Sequence, residues 1–320
     1  MEKEKIDLSI IVLSYNSKTD LARLLPSIFR SEGVNFEQDG KSPSSPTTTG
    51  NSNFLTHDFL AEVIVVDNGS TDGTYEWLEQ GRSGRSNRAQ VEIIRNKNSG
   101  FAHGNNLGIK QAHGRYILVL NPDTELRPDT LKIMLEFMEQ NPEVGISTCK
   151  VFLPNGKLDL ACRRRFPNPW NGFKRLFLLS NVDYNYAGID PDQSMQIDSC
   201  MGAFMMIRRS AINNQQLSIF DEAFFMYGED LDICWRVKEA GDKVWYYPKT
   251  SIIHYKGSSS RKVSYRALKW FHDAMWIFYQ KHYAVKYPFV FNSLVWLGIY
   301  FRFYMLSGVN FFRKEKFVSK

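Results

Sequence analysis

The 320-residue sequence predicts an α/β protein with a mostly parallel central sheet flanked by helices, followed by a basic, aromatic helical appendage. Three observations carry that expectation. Apolar, β-branched runs alternate with stretches of helical period from the N-terminus to about residue 140. Each run is continuous rather than alternating, as strands buried on both faces are. The last quarter of the chain changes character and becomes cationic and dense in Trp, Phe and Tyr.

In order, IDLSIIVLSY (6–15) reads as a first buried strand, followed by a helical pattern through Leu21, Leu24, Leu25 and Ile28. AEVIVVD (61–67), VEIIR (91–95) and RYILVL (115–120) read as further buried strands, with helical stretches over 72–80, 102–112 and 128–140. Such alternation implies right-handed βαβ units. EGVNFEQDGKSPSSPTTTGNSNF (32–54) and GRSGRSNR (81–88) are rich in Ser, Thr, Pro, Gly and Asn or in Gly, Arg and Ser, and predict solvated loops without chemistry. The expected organisation is one body over 1–260, with a flexible insert at about 32–58, and a C-terminal helical segment over 261–320.

At 43% hydrophobic and 23% charged residues the composition is that of an ordinary globular chain, which excludes global disorder. Cys149, Cys162, Cys200 and Cys234 show no C-x-x-C spacing, and the charged start MEKEKIDLSI enters a strand directly. Reduced thiols, a cytoplasmic location and no structural zinc are the expectation.

The net charge of +6 hides an asymmetry, because residues 249–320 carry 13 Lys and Arg against only Asp273 and Glu315. Both nucleic acid and an anionic membrane suit such a tail, but its aromatic density favours a membrane surface and no nucleic-acid partner is expected. VSYRALKWFHDAMWIFYQKHY (263–283) fits a helix with Leu268, Phe271, Met275 and Phe278 on one side. PFVFNSLVWLGIYFRFYMLSGVNFF (288–312) exceeds the roughly 20 apolar residues that a span requires. Arg302 interrupts it, at roughly 2.5–3.5 kcal/mol on insertion scales, so an interfacial helix is expected, with a span, an apolar cover or a dimer contact as alternatives.

In open parallel sheets ligands gather beyond the carboxyl ends of the strands. Here those positions hold Ser14-Tyr15-Asn16, Asp67 to Ser70, Asn96 to Gly100, and Asn121-Pro122-Asp123. In VVDNGSTDGT (65–74) Asp67 can accept from a ribose hydroxyl or a base N–H while backbone N–H groups meet an anion; an Asx turn capped by Ser70 or Asp72 is the compatible bland reading. No G-x-G-x-x-G is present, which argues against an ordinary dinucleotide fold. NKNSGFAHGNNLGIKQAHG (96–114) is a Gly-rich entry to a helix whose Asn98, Asn105 and Asn106 suit nucleotide or sugar hydroxyls, with His103 and His113 read as surface or cap residues.

LVLNPDTEL (118–126) delivers Asp123 to the ligand edge, suited to share Mg2+ or Mn2+ with a diphosphate or simply to stabilise a turn. His254 ends an apolar run, where it is either a core histidine or a neighbour of such a cation. MYGEDLDICWRVKEAG (226–241) sets Glu229, Asp230 and Asp232 ahead of Leu231, Cys234, Trp235 and Lys238 at helical spacing, with Gly241 as a stop. Those acids read either as helix caps or as a catalytic base.

Taken together and in order, SIIVLSYN, EVIVVDNGSTDGT, NSGFAHGNNLGI, YILVLNPDTEL, DSCMGAFMMIRRSAI, FFMYGEDLDICWRVKEAG and IIHYKGSS resemble family 2 glycosyltransferases, most closely the bacterial rhamnosyltransferase-like branch that builds cell-surface polysaccharides. The resemblance covers about residues 6–260 apart from the two loops. It implies a GT-A fold, a nucleotide-diphosphate sugar donor such as dTDP-rhamnose, a divalent cation (Mg2+ or Mn2+), inversion at the anomeric carbon and a lipid-linked glycan acceptor. It places the enzyme on the cytoplasmic face of the inner membrane, held through its C-terminal segment.

By that likeness Asp67, Ser14, Tyr15, Asn16, Asn98 and Gly100 line the donor pocket. Asp123 takes the metal position of a D-x-D motif whose first aspartate is here Asn121, and His254 matches a further metal ligand of some relatives. Asp230 is the implied base, with Glu229 or Asp232 orienting the site, Arg236 pairing with one of these acids or contacting phosphate, and Asp198, Gly202, Asp232 and Arg236 as the candidates for the sugar and acceptor side. A sugar nucleotidyltransferase is the rival enzyme class, disfavoured because no basic Gly-rich signature follows the first strand. A catalytically inactive membrane scaffold is the non-enzymatic alternative, prompted by Asn121.

Overall fold

The structure, a computed structural model, describes residues 5–36, 58–82, 90–169, 184–212, 219–256 and 264–312. The bulk of the expected insert, the loop from 83 to 88 and residues 257–259 of the last motif lie outside the described residues.

The first half is built as the hydrophobic periodicity implies. Strand β1 (Leu8–Ser14) leads to helix α1 (Lys18–Phe29), β3 (Phe59–Asp67) to α2 (Thr74–Arg82), β4 (Val91–Arg95) to α3 (Phe101–Gln111), and β5 (Tyr116–Leu120) follows. The loop expected over 32–54 begins instead with a short strand, β2 (Val34–Phe36), which pairs parallel with the first residues of β3. Val34 and Phe36 had sufficient apolar character to pair, but three residues among turn-formers carry too little periodicity to be seen. β3 thus has two edge partners, β2 beside Phe59 to Ala61 and β4 beside Val63 to Asp67.

β6 (Thr124–Leu126), α4 (Thr130–Gln140), β7 (Val144–Phe152), β8 (Met195–Gln196), β9 (Phe204–Arg208), α5 (Glu229–Glu239) and β10 (Lys243–His254) complete the body. The sheet runs β2-β3-β1-β5-β9-β7-β10-β6, with β4 on β3 and β8 on β10. It is mixed: β4, β3, β1 and β5 run parallel, and β9 enters antiparallel between β5 and β7. The reversal matters for the site. It sets Phe204 beside Leu120, so the start of β9 reaches the same edge as the ends of β1, β3 and β5.

The core lies on the sheet, where β1, β5 and β9 are buried along almost their whole length beneath α1, α3 and α4. All four cysteines are buried and free. Two long helices follow, α6 (Ser264–His282) and α7 (Phe289–Phe311), within a residue or two of the expected boundaries.

Candidate active site

The register of the parallel strands puts Ser14 beside Asp67 and Asp67 beside Arg95, so three loops leave the sheet at one level. The loops after β1 and β3 are zipped together: Asn16 N–H donates to Ser70 Oγ at 2.9 Å and Thr71 N–H to Asn16 Oδ1 at 2.7 Å. Asn16 takes a left-handed φ of 53° to do so. Asp67 is almost fully buried; its Oδ2 accepts from Ser70 N–H, as an Asx turn requires, while Oδ1 has no partner. Ser14 Oγ is likewise buried and unpartnered. Two orphaned polar atoms on adjacent strands at a ligand edge are expensive unless a ligand meets them.

Asn98 and Gly100 have local duties. Asn68 Nδ2 donates weakly to Asn98 Oδ1 and to the Gly100 carbonyl, both at 3.4 Å. Gly100, at φ 99°, lets the start of α3 approach the 219–228 segment so closely that a Cβ would lie 2.5 Å from the Phe225 carbonyl, which accepts from Phe101 N–H. The Gly-rich loop is therefore a docking point for the segment that leads into α5. Asn105 and Asn106 are buried on structural hydrogen bonds, Asn106 holding Phe220 and Glu222. His103 and His113 pair with Glu222 and Glu62 at the surface.

After β5, Asn121 N–H donates to Ala203 O at 3.3 Å, joining the D-x-D-like turn to the start of β9 and to Gly202, whose missing Cβ would sit 3.1 Å from the Phe101 ring. Asp123 Oδ1 lies 3.2 Å from His254 Nε2, brought there by the antiparallel pairing of β6 with the end of β10. Behind the imidazole, His254 Nδ1 is 3.7 Å from Asp159 Oδ2, which also meets Lys256 Nζ at 2.7 Å. Burial pushes the Asp159 carboxyl up, but hydrogen bonding from His254 and the Lys256 ammonium outweigh it and hold it at about 2. Burial lowers His254, and its contacts to Asp123 and Asp159 more than reverse this. Among the described residues no three His, Cys, Asp or Glu side chains cluster as a ready metal cage. One carboxylate and one imidazole at 3.2 Å nevertheless fit a divalent cation that fills its other positions with diphosphate and water.

The acids of α5 divide into three environments. The N-cap is Gly228, in a left-handed conformation, and no side chain caps the helix in the usual way. Asp230 Oδ1 takes the Leu231 N–H at 2.8 Å, and its Oδ2 accepts from Arg164 Nη2, also at 2.8 Å. Arg164 donates as well to the Cys200 carbonyl at 2.5 Å, and its backbone bridges Ser199, so the base candidate is tied to the strand-entry segment that carries Gly202. Burial works against the Arg164 charge, yet the Asp230 carboxylate raises its pKa overall.

Glu229 is buried with Oε2 unpartnered; burial first and the Asp230 charge second push its carboxyl up to about 8. Asp232 corrects the expectation of a sugar or acceptor contact. It is fully buried, with Oδ1 2.9 Å from His282 Nε2 and 2.7 Å from Lys281 Nζ, and Oδ2 2.8 Å from Arg236 Nε. Arg236 pairs with Asp232 and donates to the Ile219 carbonyl. Asp198 accepts from Phe166 N–H at 3.1 Å and Lys238 Nζ at 2.5 Å, and more than a quarter of its side chain stays exposed.

Arg164 and Asp159 are the residues that motif reading missed. Arg164 sits within the basic run ACRRRF and Asp159 within GKLDL, neither of which carries periodic or turn chemistry that marks a site. A basic run 66 residues before an acidic helix start was the one available signal for the pair.

Comparison with known proteins agrees with this geometry. Rhamnosyltransferase WbbL of Escherichia coli K12 is 32% identical over 183 residues, covering 53% of this chain and 66% of its own. An N-acetylglucosaminyl-diphospho-decaprenol L-rhamnosyltransferase of Mycobacterium tuberculosis is 25% identical over 244 residues, covering 68% of this chain and 73% of its own. The fold is shared with S. aureus TarS 1–349 in complex with UDP-GlcNAc (TM-score 0.53, 17% identity, 96% of this chain and 75% of that one). It is shared also with GalNAc-T7 with UDP, GalNAc and Mn2+ (TM-score 0.55, 13% identity, 87% and 51%). The Glycosyl transferase family 2 profile matches residues 9–215, which hold the Asp67, Asp123 and Arg164 loops within a GT-A-like fold, and the chain belongs to that family.

Proposed function

We propose that the protein transfers a sugar from a nucleotide-diphosphate donor to a hydroxyl of a lipid-linked, cell-surface glycan, with inversion at the anomeric carbon. The preferred donor is dTDP-rhamnose or a related deoxysugar nucleotide, the reading supported by rhamnosyltransferase relatives. A lipid-linked acceptor agrees with the name of the mycobacterial relative and suits an enzyme held peripherally at the cytoplasmic face of a membrane.

The observation that carries the proposal is Asp230: a carboxylate clamped in one orientation by Arg164 and by its own helix, beside the edge where Asp67 Oδ1 and Ser14 Oγ stand unpartnered. Asp67 and Ser14 hold the nucleoside through ribose hydroxyls or a base N–H. Asp230 takes the proton of the acceptor hydroxyl as that oxygen attacks C1 from the side opposite the diphosphate. Each carboxylate oxygen has two lone-pair sites, so Oδ2 can keep Arg164 and still receive that proton. Asp123 and His254 would hold the divalent cation, which, when bound, stabilises charge on the leaving diphosphate. GalNAc-T7 was determined with Mn2+, in keeping with that role for the fold.

The test follows release of free nucleoside diphosphate from a panel of nucleotide sugars with Mg2+ or Mn2+, with and without membrane extract as acceptor. One donor is expected to be consumed, and Asp230→Asn to lower kcat by at least 10²-fold at unchanged donor KM. Equal rates in wild type and Asp230→Asn overturn the proposal in favour of a scaffold.

A further inference from the structure

Helix α7 (Phe289–Phe311) is long and apolar enough to cross a bilayer, and little of it is buried in the protein. Its most polar residues, Asn292, Arg302 and Asn310, share one side. Arg302, whose position seemed to forbid immersion, is 4% exposed and donates to His272 Nε2 of α6 at 3.0 Å. Asn292 accepts from Tyr279 Oη at 2.6 Å and donates to the Ala284 and Tyr287 carbonyls, while Tyr300 Oη donates to Asp273 at 3.0 Å. At about 100° per residue, Asn292, Ile299, Arg302, Phe303 and Asn310 share one face of the helix. Val290, Leu294, Leu297, Phe301, Tyr304 and Phe311 share the opposite face and are 56–81% exposed.

The attachment runs the length of both helices. Tyr265 meets Phe303 near one end, His272 and Asp273 meet Arg302 and Tyr300 in the middle, and Tyr279 meets Asn292 at the other. The other face of α6 packs on the catalytic segment. Ala274 and Phe278 join Phe224 and Leu231 in one apolar cluster, Trp270 stacks on Phe225, and Lys281 and His282 grip Asp232. Helix α6 is therefore a layer between α7 and α5, and α5 lies about two interhelical spacings, roughly 16–20 Å, behind the exposed stripe. A transmembrane α7 would carry α6, and with it the start of α5, into the hydrocarbon. In that position Lys281, whose side chain is still about a third exposed where it pairs with Asp232, would lose its water.

We infer that α7 lies in the plane of an anionic lipid bilayer, its Val290, Leu294, Leu297, Phe301, Tyr304 and Phe311 stripe immersed and α6 riding above it. This deepens the proposed function, on whose lipid-linked acceptor it rests, by naming the docking face and its orientation. The charge of this part of the chain favours anionic lipid as the occupant: residues 249–320 carry 13 Lys and Arg against two acids, a surplus that attracts anionic headgroups.

The test uses the full chain. Flotation with vesicles of phosphatidylcholine containing phosphatidylglycerol is expected, with at least tenfold weaker binding to phosphatidylcholine alone. The double variant Leu297→Asp, Phe301→Asp is expected to abolish flotation and to leave donor hydrolysis in solution within twofold of wild type. Nitroxides placed singly by Val290→Cys, Leu297→Cys and Tyr304→Cys, the native cysteines being buried, are expected at equal depth by collision with lipid-soluble quencher. Depths that step by about 10 Å per seven residues overturn the inference in favour of a span. A dimeric mass by sedimentation that Leu297→Asp reduces to monomer, without flotation, overturns it in favour of a second copy. Donor turnover without flotation defeats the docking alone, whereas flotation without turnover of any donor defeats the transferase reading and leaves the docking face standing.

Discussion

Glu229 and Asp230 are adjacent in the sequence and meet opposite environments. Asp230 finds a guanidinium and a backbone N–H; Glu229 finds apolar burial, an unpartnered oxygen and its neighbour's charge, which together push it up to about 8. A carboxyl whose pKa rises on folding contributes its stability fully below its unfolded value near 4.5 and loses it as pH climbs toward about 8. Glu229→Gln keeps the shape without the ionisable proton, so it is expected to match wild type in thermal midpoint at pH 5 and to exceed it at pH 8.5; an equal difference at both pH values would refute the assignment. Asp230 was legible as a candidate because three acids at a helix start are conspicuous. Its partner was not, since nothing local to Arg164 records that the chain returns 66 residues later to meet it.

At the scale of elements, α5 carries the proposed base and an assembly contact on the same turn. Asp230 faces Arg164 on the body, whereas Asp232 turns to Lys281 and His282 at the end of α6 and to Arg236 one turn on. Burial alone would push Asp232 up, but the hydrogen bonds from His282 and Lys281 and the charge of Arg236 hold it at about 2. Its contribution is present above pH 3.8 and disappears as pH falls toward 2. Asp232→Ala removes the fully buried carboxylate shared by Lys281, His282 and Arg236 and is expected to cost about 3–5 kcal/mol, read as a lower urea midpoint. Strands β1, β3, β4 and β5 were legible from continuous apolar runs. β2 and the antiparallel β9 insertion were not, because pairing direction is a property of neighbours and leaves no period in the strand itself.

At the scale of the molecule, the site is assembled by sheet order. Parallel β1, β3 and β5 bring Ser14, Asp67 and Asp123 to one edge, reversed β9 adds Gly202, and the end of β10 supplies His254. Because Asp123 and His254 come from different strands, either Asp123→Ala or His254→Ala is expected to weaken Mn2+ binding by at least tenfold by titration calorimetry, with the thermal midpoint of the cation-free protein little changed. An unaltered affinity in both variants would remove the pair as ligands.

What the sequence determined by itself were the elements, the ligand-edge loops and the motif order that marks the family, since apolar periodicity, turn chemistry and helix stops act within a few residues. Only the tertiary structure decided which polar group meets which: Arg164 on Asp230, Lys281 and His282 on Asp232, His254 on Asp123, and Arg302 turned inward on His272. Those choices depend on chain closure over tens of residues and on burial, which strengthens a charge pair only after the sheet and its helices have excluded water.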